Sequence, residues 1–296
     1  MTLLRFLLLC FCWGSTFIPL KEGLVNLPPL LFAGLRFVLA ASVFTGVLLL
    51  RKKSVMFPKG HDLQRLTLAT LLSICLNYGL LFWGAQFLPS GISGLVSFGA
   101  VAFALTGLSL GLGLESPKAQ KVIGLGLGLT GLILLVAPKL GTDLEQFMGI
   151  AAISLGGLVY GIGSLLIRPL LKKYDIVTLT SYQMSVGGVI LVLAGFITEA
   201  KFSDLQLTSN PKTVLSLVYL VAVGSLLGFW LYYRLLATWE VSRVALYNFV
   251  SPIIALGLGV LIYSERFTLL EGLAATSLLL GVLVNYAPRL RLSYDR

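Results

Sequence analysis

The chain has 296 residues, of which 57% are hydrophobic and only 11% charged, and its mean hydropathy is +0.95. A soluble domain carries roughly 25% charged residues. The composition therefore excludes an ordinary soluble protein and predicts one that uses lipid as its solvent. The formal net charge of +10 raises the separate question of a nucleic-acid partner.

Ten apolar segments follow one another along the chain, each about as long as a helix must be to cross a bilayer. They are residues 3–20, 29–50, 66–88, 90–112, 119–138, 147–171, 175–197, 213–236, 240–263 and 268–288. Arg5 and the apolar run after it resemble a signal peptide, but no small-residue cleavage site follows. We therefore predict an uncleaved first helix and an all-α integral membrane protein with ten transmembrane helices.

The basic residues orient these spans. With the N-terminus in the cytoplasm, 16 of the 22 Lys and Arg residues lie on the cytoplasmic side, five lie outside, and Arg36 lies within a span. The 12 acidic residues divide the other way, with five inside and seven outside. The positive-inside rule predicts a multi-pass protein of the plasma (cell inner) membrane with both termini in the cytoplasm. Because membrane topology accounts for the excess of basic residues, we predict no nucleic-acid partner.

The chain also contains an internal repeat. A shift of 150 residues places Glu115 on Glu265, and the Ala-Pro-Lys-Leu segment at 137–140 on Ala-Pro-Arg-Leu at 287–290. We predict an N-terminal five-helix repeat over residues 1–140, a C-terminal five-helix repeat over 147–290, and a short cytoplasmic tail over 291–296. Five is an odd number, so the second repeat enters the membrane from the opposite face. Two inverted repeats of this kind suit alternating access to a shared midplane site.

Several of these segments resemble a known family. Trp-Gly-Ser-Thr-Phe at 13–17, the following Lys21, and PPLLFAGLRFVLAA at 28–41 resemble the opening of EamA-type ten-helix members of the drug/metabolite transporter superfamily. The segments 115–138 and 265–288 resemble its repeated end, in which a loop Glu leads into a Gly-bearing last helix. The resemblance covers nearly the whole chain. It implies export or exchange of metabolites, a cavity between the halves, and a peripheral last helix in each half.

One departure concerns the hinge of the ninth span. Pro252 is family-like and removes a backbone donor, which permits a kink and frees a carbonyl at about membrane depth. The equivalent position of the fourth span is Ala102. We predict a hinge at Pro252, and the resemblance does not establish an equivalent hinge in the other half.

Arg36 is the most informative single residue. It lies about eight residues into the second span, hence roughly 12 Å from the outer boundary at the helical rise. An Arg near the midplane costs at least ~2.5 kcal/mol, so it should face a polar cavity or a partner. In one interpretation its fork holds a carboxylate or other anionic group of the substrate. In the other it is a structural cation bonded to backbone carbonyls and tyrosines.

Polar residues recur on matching faces of spans 4 and 9. The repeat places Ser93 and Ser97 on Arg243 and Tyr247, and Asn248 lies beside this stripe. The stripe is typical of two helices that line one central space. Hydrogen bonding between helices, which is common in membrane bundles, explains it equally well.

Aromatic and amide residues form a further set. Tyr232 and Tyr233 lie near a span end and are predicted to belong to the interfacial aromatic belt. Deeper aromatic rings and amides that should not face lipid are predicted to line a cavity suited to an amphipathic zwitterion or anion. The complete set of predicted substrate-binding residues is Trp13, Thr16, Arg36, Asn77, Tyr78, Ser97, Tyr160, Tyr182, Gln183, Trp230, Tyr247 and Asn248.

The sequence does not support a metal or cofactor. Cys10, Cys12 and Cys75 lack metal-ligand spacing, and His61, the single histidine, lies in a charged loop. A GxGxxG pattern at 126–131 lies inside a span, without the preceding strand that a dinucleotide site requires. Its glycines instead predict a close helix crossing, and they leave a homodimer open.

The predicted function is that of a secondary transporter, an exporter or exchanger, of small metabolites such as amino acids or related amphipathic or anionic compounds. No acidic residue lies deep in a span, which favours facilitated diffusion or exchange. Proton coupling through Glu22 or Glu240 is the alternative energy source. A membrane-embedded sensor or channel-like protein is the alternative function, and the ingredients of an intramembrane enzyme are missing.

Overall fold

The computed structural model describes residues 2–50, 56–113, 118–136, 143–199, 210–239, 244 and 246–291, and this part of the chain is helical without strands. Its first five helices are α1 (Thr2–Ser15 and Phe17–Leu24), α2 (Pro29–Leu50), α3 (Gly60–Ala85), α4 (Ser90–Gly111) and α5 (Ala119–Val136). The second five are α6 (Leu144–Ile167), α7 (Ile176–Thr198), α8 (Pro211–Thr238), α9 (Tyr247–Tyr263) and α10 (Leu269–Arg291). Seven are long and apolar enough to cross a membrane, and shorter apolar helices lie within α5, α9 and α10.

Capping residues fix where several helices begin. The Asp175 carboxylate accepts the backbone N–H groups of Val177 and Thr178 at the start of α7. The Asn210 side chain accepts the N–H of Lys212 at the start of α8, where Pro211 occupies the first turn. These residues satisfy N–H groups that have no acceptor within the helix. The apolar runs between such caps form helices because lipid offers no hydrogen-bond partners to backbone N–H and C=O groups.

The helices pack in a pattern that repeats after five. α2 packs on α7, α5 on α10, and α4 on α9. α6 packs on α3 and α4, just as α1 packs on α8 and α9. α5 and α10 lie at the periphery and pack mainly on each other, as the family resemblance implied. The fold is that of ten helices in two inverted five-helix repeats.

Glycines allow the crossing of α5 and α10. A Cβ atom at Gly131 would lie 2.8 Å from the carbonyl oxygen of Ala274, and one at Gly281 would lie 2.7 Å from that of Gly124. Both distances are too short for a real side chain, so the two backbones approach closely here. The glycine-rich pattern of the fifth span thus serves a crossing within the chain.

Two helices contain π-helical turns at related positions. In α3 the turns cover Leu71–Leu76, and in α8 they cover Leu220–Leu227. A π segment changes the face on which the following side chains lie, and such segments are frequent at functional sites. Ser73 and Ser225, which lie within them, both contact polar residues of the opposite half.

Some predicted features lie outside the described residues, namely Glu115, Pro138, Glu240 and Arg243. Pro252 lies inside α9, and its role as a hinge stays a prediction.

Candidate functional site

A small cavity lies between the two halves. Its volume is about 50 Å³, which is room for a few water molecules, whereas ligand pockets usually measure about 300–1,000 Å³. We refer to it as the central cavity. Its lining residues are Trp13, Thr16, Phe17, Leu20, Arg36, Asn77, Tyr78, Leu81, Phe82, Ser97, Phe98, Val101, Tyr160 and Tyr247.

Eight of the twelve predicted substrate-binding residues meet at this cavity, although they come from six different helices. They are Trp13 and Thr16 of α1, Arg36 of α2, Asn77 and Tyr78 of α3, Ser97 of α4, Tyr160 of α6 and Tyr247 of α9. Six further lining residues are apolar, and the sequence analysis missed them. An apolar side chain carries no distinguishing signal in so apolar a chain, although Phe17 belongs to the segment 13–17.

Three of the remaining predicted residues lie away from the cavity. The Tyr182 hydroxyl bonds that of Thr67 at 2.8 Å, and its ring is half-buried. Trp230 is half-buried, with the guanidinium carbon of Arg234 5.5 Å from its ring centroid. Asn248 is fully buried next to the lining residue Tyr247 but does not itself line the cavity.

Gln183, the fourth, lies in a separate buried network. The Tyr233 hydroxyl donates to its Oε1 at 2.6 Å, and its Nε2 lies 3.5 Å from the hydroxyl of Ser73. The network joins α7 to α8 and to the π segment of α3. Gln183 is 1% exposed, so the amide avoids lipid as predicted but does so by bonding inside the protein.

Arg36 lies in the cavity wall and is 3% exposed. Its Nε donates to the Ser225 hydroxyl at 2.7 Å, and its guanidinium carbon lies 5.1 Å and 5.2 Å from the ring centroids of Phe37 and Tyr78. A Cβ atom at Gly224 would lie 2.8 Å from Nη2, so this glycine makes room for the guanidinium. Within the described part of the chain, no carboxylate forms an ion pair with Arg36.

The contacts of Arg36 combine features of both interpretations. The Nε–H is bonded by a hydroxyl and the planar face is covered by aromatic rings, which are features of a structural cation. The Nη groups form the fork that pairs with carboxylates, and no described carboxylate occupies it. Such a cation in a cavity wall is suited to an anionic ligand.

An aromatic cluster surrounds Trp13, which lines the central cavity. The Trp13 ring lies 5.0 Å from Tyr232, 4.9 Å from Tyr247 and 5.7 Å from Phe229, measured between centroids. Its Nε1 donates to the carbonyl oxygen of Gly224 at 3.2 Å. The side chains of α1, α8 and α9 thereby pack tightly around Trp13.

The prediction that Tyr232 and Tyr233 form an interfacial belt is wrong. They are only 4% and 3% exposed, and both rings pack within the aromatic cluster. The prediction used their distance from a span end and ignored the face of the helix. The π segment that precedes them in α8 affects that face, and periodicity could not reveal it.

With this geometry described, the chain can be compared with known proteins. The model of the EamA-like transporter family matches it twice, over residues 1–137 and 147–287. The chain belongs to the EamA-like transporter family. It is therefore a multi-pass membrane transporter, and both of its halves carry the family pattern.

Relatives of this transporter cover almost the whole chain. The uncharacterized transporter YvbV of Bacillus subtilis is 32% identical, and the match covers 96% of this chain and 88% of the relative. A probable amino-acid metabolite efflux pump of Escherichia coli K12 is 24% identical, covering 94% and 92%. One crystal structure superposes with a TM-score of 0.70 at 17% identity and covers 98% of each chain, which shows a shared fold.

Proposed function

We propose that this transporter is a secondary exporter or exchanger of small amphipathic or anionic metabolites, such as amino acids, and that it works by alternating access around the central cavity. The observation that carries the proposal is Arg36, a buried guanidinium in the cavity wall that no carboxylate of the described residues pairs with. A substrate carboxylate would complete its hydrogen bonding. The E. coli relative named as a probable amino-acid metabolite efflux pump supports the same substrate class.

The size of the cavity supports a mechanism in which the halves move. At about 50 Å³ it is too small for an amino acid. A substrate can therefore enter only if the helices around the cavity separate on one side. Two inverted repeats offer two such arrangements of similar energy, one open to each side. The basic residues support a topology with both termini in the cytoplasm of the cell inner membrane.

The lining of the cavity bears on the energy source. None of its 14 residues is acidic, whereas proton-coupled carriers usually place a carboxyl group deep in the membrane. Facilitated diffusion, or exchange driven by the substrate gradient, therefore fits best. Uptake into liposomes with and without a pH gradient tests this choice. Strong stimulation by the gradient would instead favour proton coupling, with Glu22 and Glu240 as the first residues to substitute.

Ligand binding tests the substrate class directly. The purified transporter would be screened by thermal shift against amino acids, organic acids, nucleosides and drugs. Arg36→Ala should remove the response to anionic and zwitterionic hits but keep any response to neutral compounds. Arg234→Ala is the matched control, because Arg234 is exposed and its cation–π contact with Trp230 lies away from the cavity.

Two results would count against the proposal. If Arg36→Ala binds the anionic hits unchanged, Arg36 does not hold the substrate. If the hits bind but do not exchange across liposomes that contain the transporter, they are not its substrates.

A further inference from the structure

Two charged side chains join helices near Leu20, a lining residue of the central cavity that lies toward the outer side in the proposed topology. The first is Lys21 of α1. Its ammonium donates to the carbonyl oxygens of Leu88 at 2.7 Å and Gln86 at 3.1 Å. These carbonyls follow the last turn of α3, where no helical N–H remains to bond them and where a cation is favoured. Lys21 thus joins α1 to the turn between α3 and α4.

The second side chain is Glu265, in the loop between α9 and α10. One carboxylate oxygen accepts the backbone N–H and the hydroxyl of Ser90, both at 2.7 Å. The other accepts the N–H of Gly91 at 3.0 Å. These groups open the first turn of α4 and have no acceptor within the helix. Glu265, from the C-terminal half, therefore holds the end of a helix that belongs to the N-terminal half.

The surrounding backbone is shaped to receive this carboxylate. A Cβ atom at Gly259 would lie 2.3 Å from the bound Glu265 oxygen, and one at Gly91 would lie 3.1 Å from it. Ser264 adopts a left-handed conformation with φ of 52°, which ends α9 and turns the chain so that the next residue reaches α4. A non-glycine residue adopts this conformation only where the surroundings impose it.

Beside these contacts the outer halves of α4 and α9 touch directly. A Cβ atom at Gly94 would lie 2.7 Å from that of Ala255. On the far side of the turn lies a vestibule of about 520 Å³, lined by Lys21, Glu22, Val25, Phe87, Leu88, Pro89, Tyr263 and Glu265. This space is large enough for a metabolite and shares no lining residue with the small central cavity.

We propose that Glu265 is the latch of the outer gate. Its carboxylate holds the first turn of α4 against α9 in the closed state, and its release lets the central cavity open to the vestibule. Removing the latch favours the open state, because only the closed state contains its hydrogen bonds. This inference rests on the alternating access proposed above, but it does not depend on which substrate is carried.

Cysteine accessibility tests the latch without a substrate. Ser97→Cys places a thiol in the wall of the central cavity, where a membrane-impermeant maleimide reaches it only when the gate is open. Val25→Cys, at a position 74% exposed in the vestibule, identifies the side from which the reagent must be added. Glu265→Gln keeps the shape of the side chain but loses its charge and turns an amide N–H₂ toward N–H donors. We expect the maleimide to label the thiol of Ser97→Cys about tenfold faster when Glu265→Gln is also present.

Glu199 provides the matched control. One of its carboxylate oxygens accepts the N–H groups of Leu30 at 2.8 Å and Leu31 at 3.4 Å, so it caps α2 on the same side of the membrane. It joins the α2–α7 pair and lies away from the contact of α4 with α9. Glu199→Gln weakens a helix cap of similar strength, but this cap is at the start of α2. The labelling rate of Ser97→Cys should therefore stay within about twofold of the parent.

The native thiols show whether a variant has unfolded, because Cys10, Cys12 and Cys75 are all buried. The control protein carries Glu265→Gln and keeps Ser97. If its native thiols react with the maleimide, Glu265→Gln has unfolded the protein, and Ser90→Ala is used in its place. This change removes one of the three bonds to Glu265, and we expect labelling to be about two- to threefold faster. The latch is overturned if the folded variant labels Ser97→Cys no faster than the parent does.

Discussion

A shift of 147 residues, in the first part of each repeat, places Arg36 on Gln183. The two residues therefore occupy the same position in the two repeats, yet their surroundings differ. Arg36 on α2 lines the central cavity and donates to Ser225 in the π segment of α8. Gln183 on α7 lies close to Ser73 in the π segment of α3, and the Tyr233 hydroxyl donates to it. In both cases a polar side chain of one half therefore lies beside a serine in a π segment of the other half. Only Arg36 is charged, and only Arg36 lines the central cavity.

This difference separates two properties of the transporter. The packing of the helices is symmetrical, which suits two states of similar energy that open to opposite sides. The candidate binding group is asymmetrical, because a guanidinium can pair with a carboxylate and an amide cannot do so with comparable strength. In the proposed mechanism the duplicated fold supplies the movement, and Arg36, which stands where the second repeat has Gln183, supplies the affinity for an anion.

Replacing Arg36 by the side chain of its repeat mate tests this distinction most strongly. Arg36→Gln removes charge-assisted hydrogen bonds to the substrate, which are worth about 2–3 kcal/mol, so the Kd for an anionic ligand should rise roughly 30- to 150-fold. Isothermal titration with the best anionic hit measures it. Affinity for a neutral hit should change little.

The control for this prediction is Gln183→Asn, which shortens the amide of the mate without adding charge. It should leave the Kd for the anion unchanged, because Gln183 does not line the cavity. An equal loss of affinity in both variants would contradict the distinction, since binding would then depend on the two positions alike.

The sequence could predict some of this arrangement. A charge in the middle of an apolar span identified Arg36, and the repeat identified Gln183 as its mate. The order of the spans followed from hydropathy, because lipid imposes both length and composition. Most boundaries lie within a few residues of the predicted ones, but α3 begins at Gly60, six residues before the predicted start at 66. Eight of the twelve predicted residues line the cavity for the related reason that polar and aromatic groups avoid lipid.

The rest depended on features that leave no sequence signal. Avoiding lipid places a side chain inside the bundle, but it does not decide between a cavity and a buried network, as Gln183 shows. The π segments also change the face on which later residues lie, and the prediction that Tyr233 belongs to the interfacial belt took no account of that face. Gly224 and Ser225 acquire a role only through the close approach of α2 to α8.

Two glycine substitutions compare the surroundings of Arg36 with the packing of α7, and their expected effects are of intermediate size. Gly224→Ala would place a methyl group 2.8 Å from Nη2 of Arg36, and Gly187→Ala would place one 2.4 Å from a side-chain carbon of Ile74. Overpacking should cost each variant about 1–3 kcal/mol of stability. Only Gly224→Ala should also weaken anion binding, by about tenfold, because only there must the guanidinium move.

Thermal unfolding and anion titration of the two glycine variants provide the measurements. Similar losses of stability with a loss of binding in Gly224→Ala alone would support the distinction between site and packing. A comparable loss of anion binding in Gly187→Ala would contradict it, because the packing around α7 would then set the affinity as well.

The smallest predicted effect concerns the hydrogen bonds of Gln183. Tyr233→Phe removes the hydroxyl that donates to Gln183 at 2.6 Å and leaves a fully buried amide oxygen without that donor. The free energy of unfolding should fall by about 1–3 kcal/mol. Tyr182→Phe removes a hydroxyl that bonds Thr67 at 2.8 Å, but the Thr67 hydroxyl also bonds the carbonyl oxygen of Leu63 at 2.9 Å, so a loss below about 1 kcal/mol is expected.

Neither tyrosine lines the central cavity, so both Phe variants should bind the anion as the parent does. Denaturant unfolding and titration of the same two samples therefore test stability and affinity together. If Tyr233→Phe weakened anion binding while Tyr182→Phe did not, the network around Gln183 would be coupled to Arg36 across the aromatic cluster. The two halves would then share one site, and the charge of Arg36 could no longer be treated as the independent contribution of the first half.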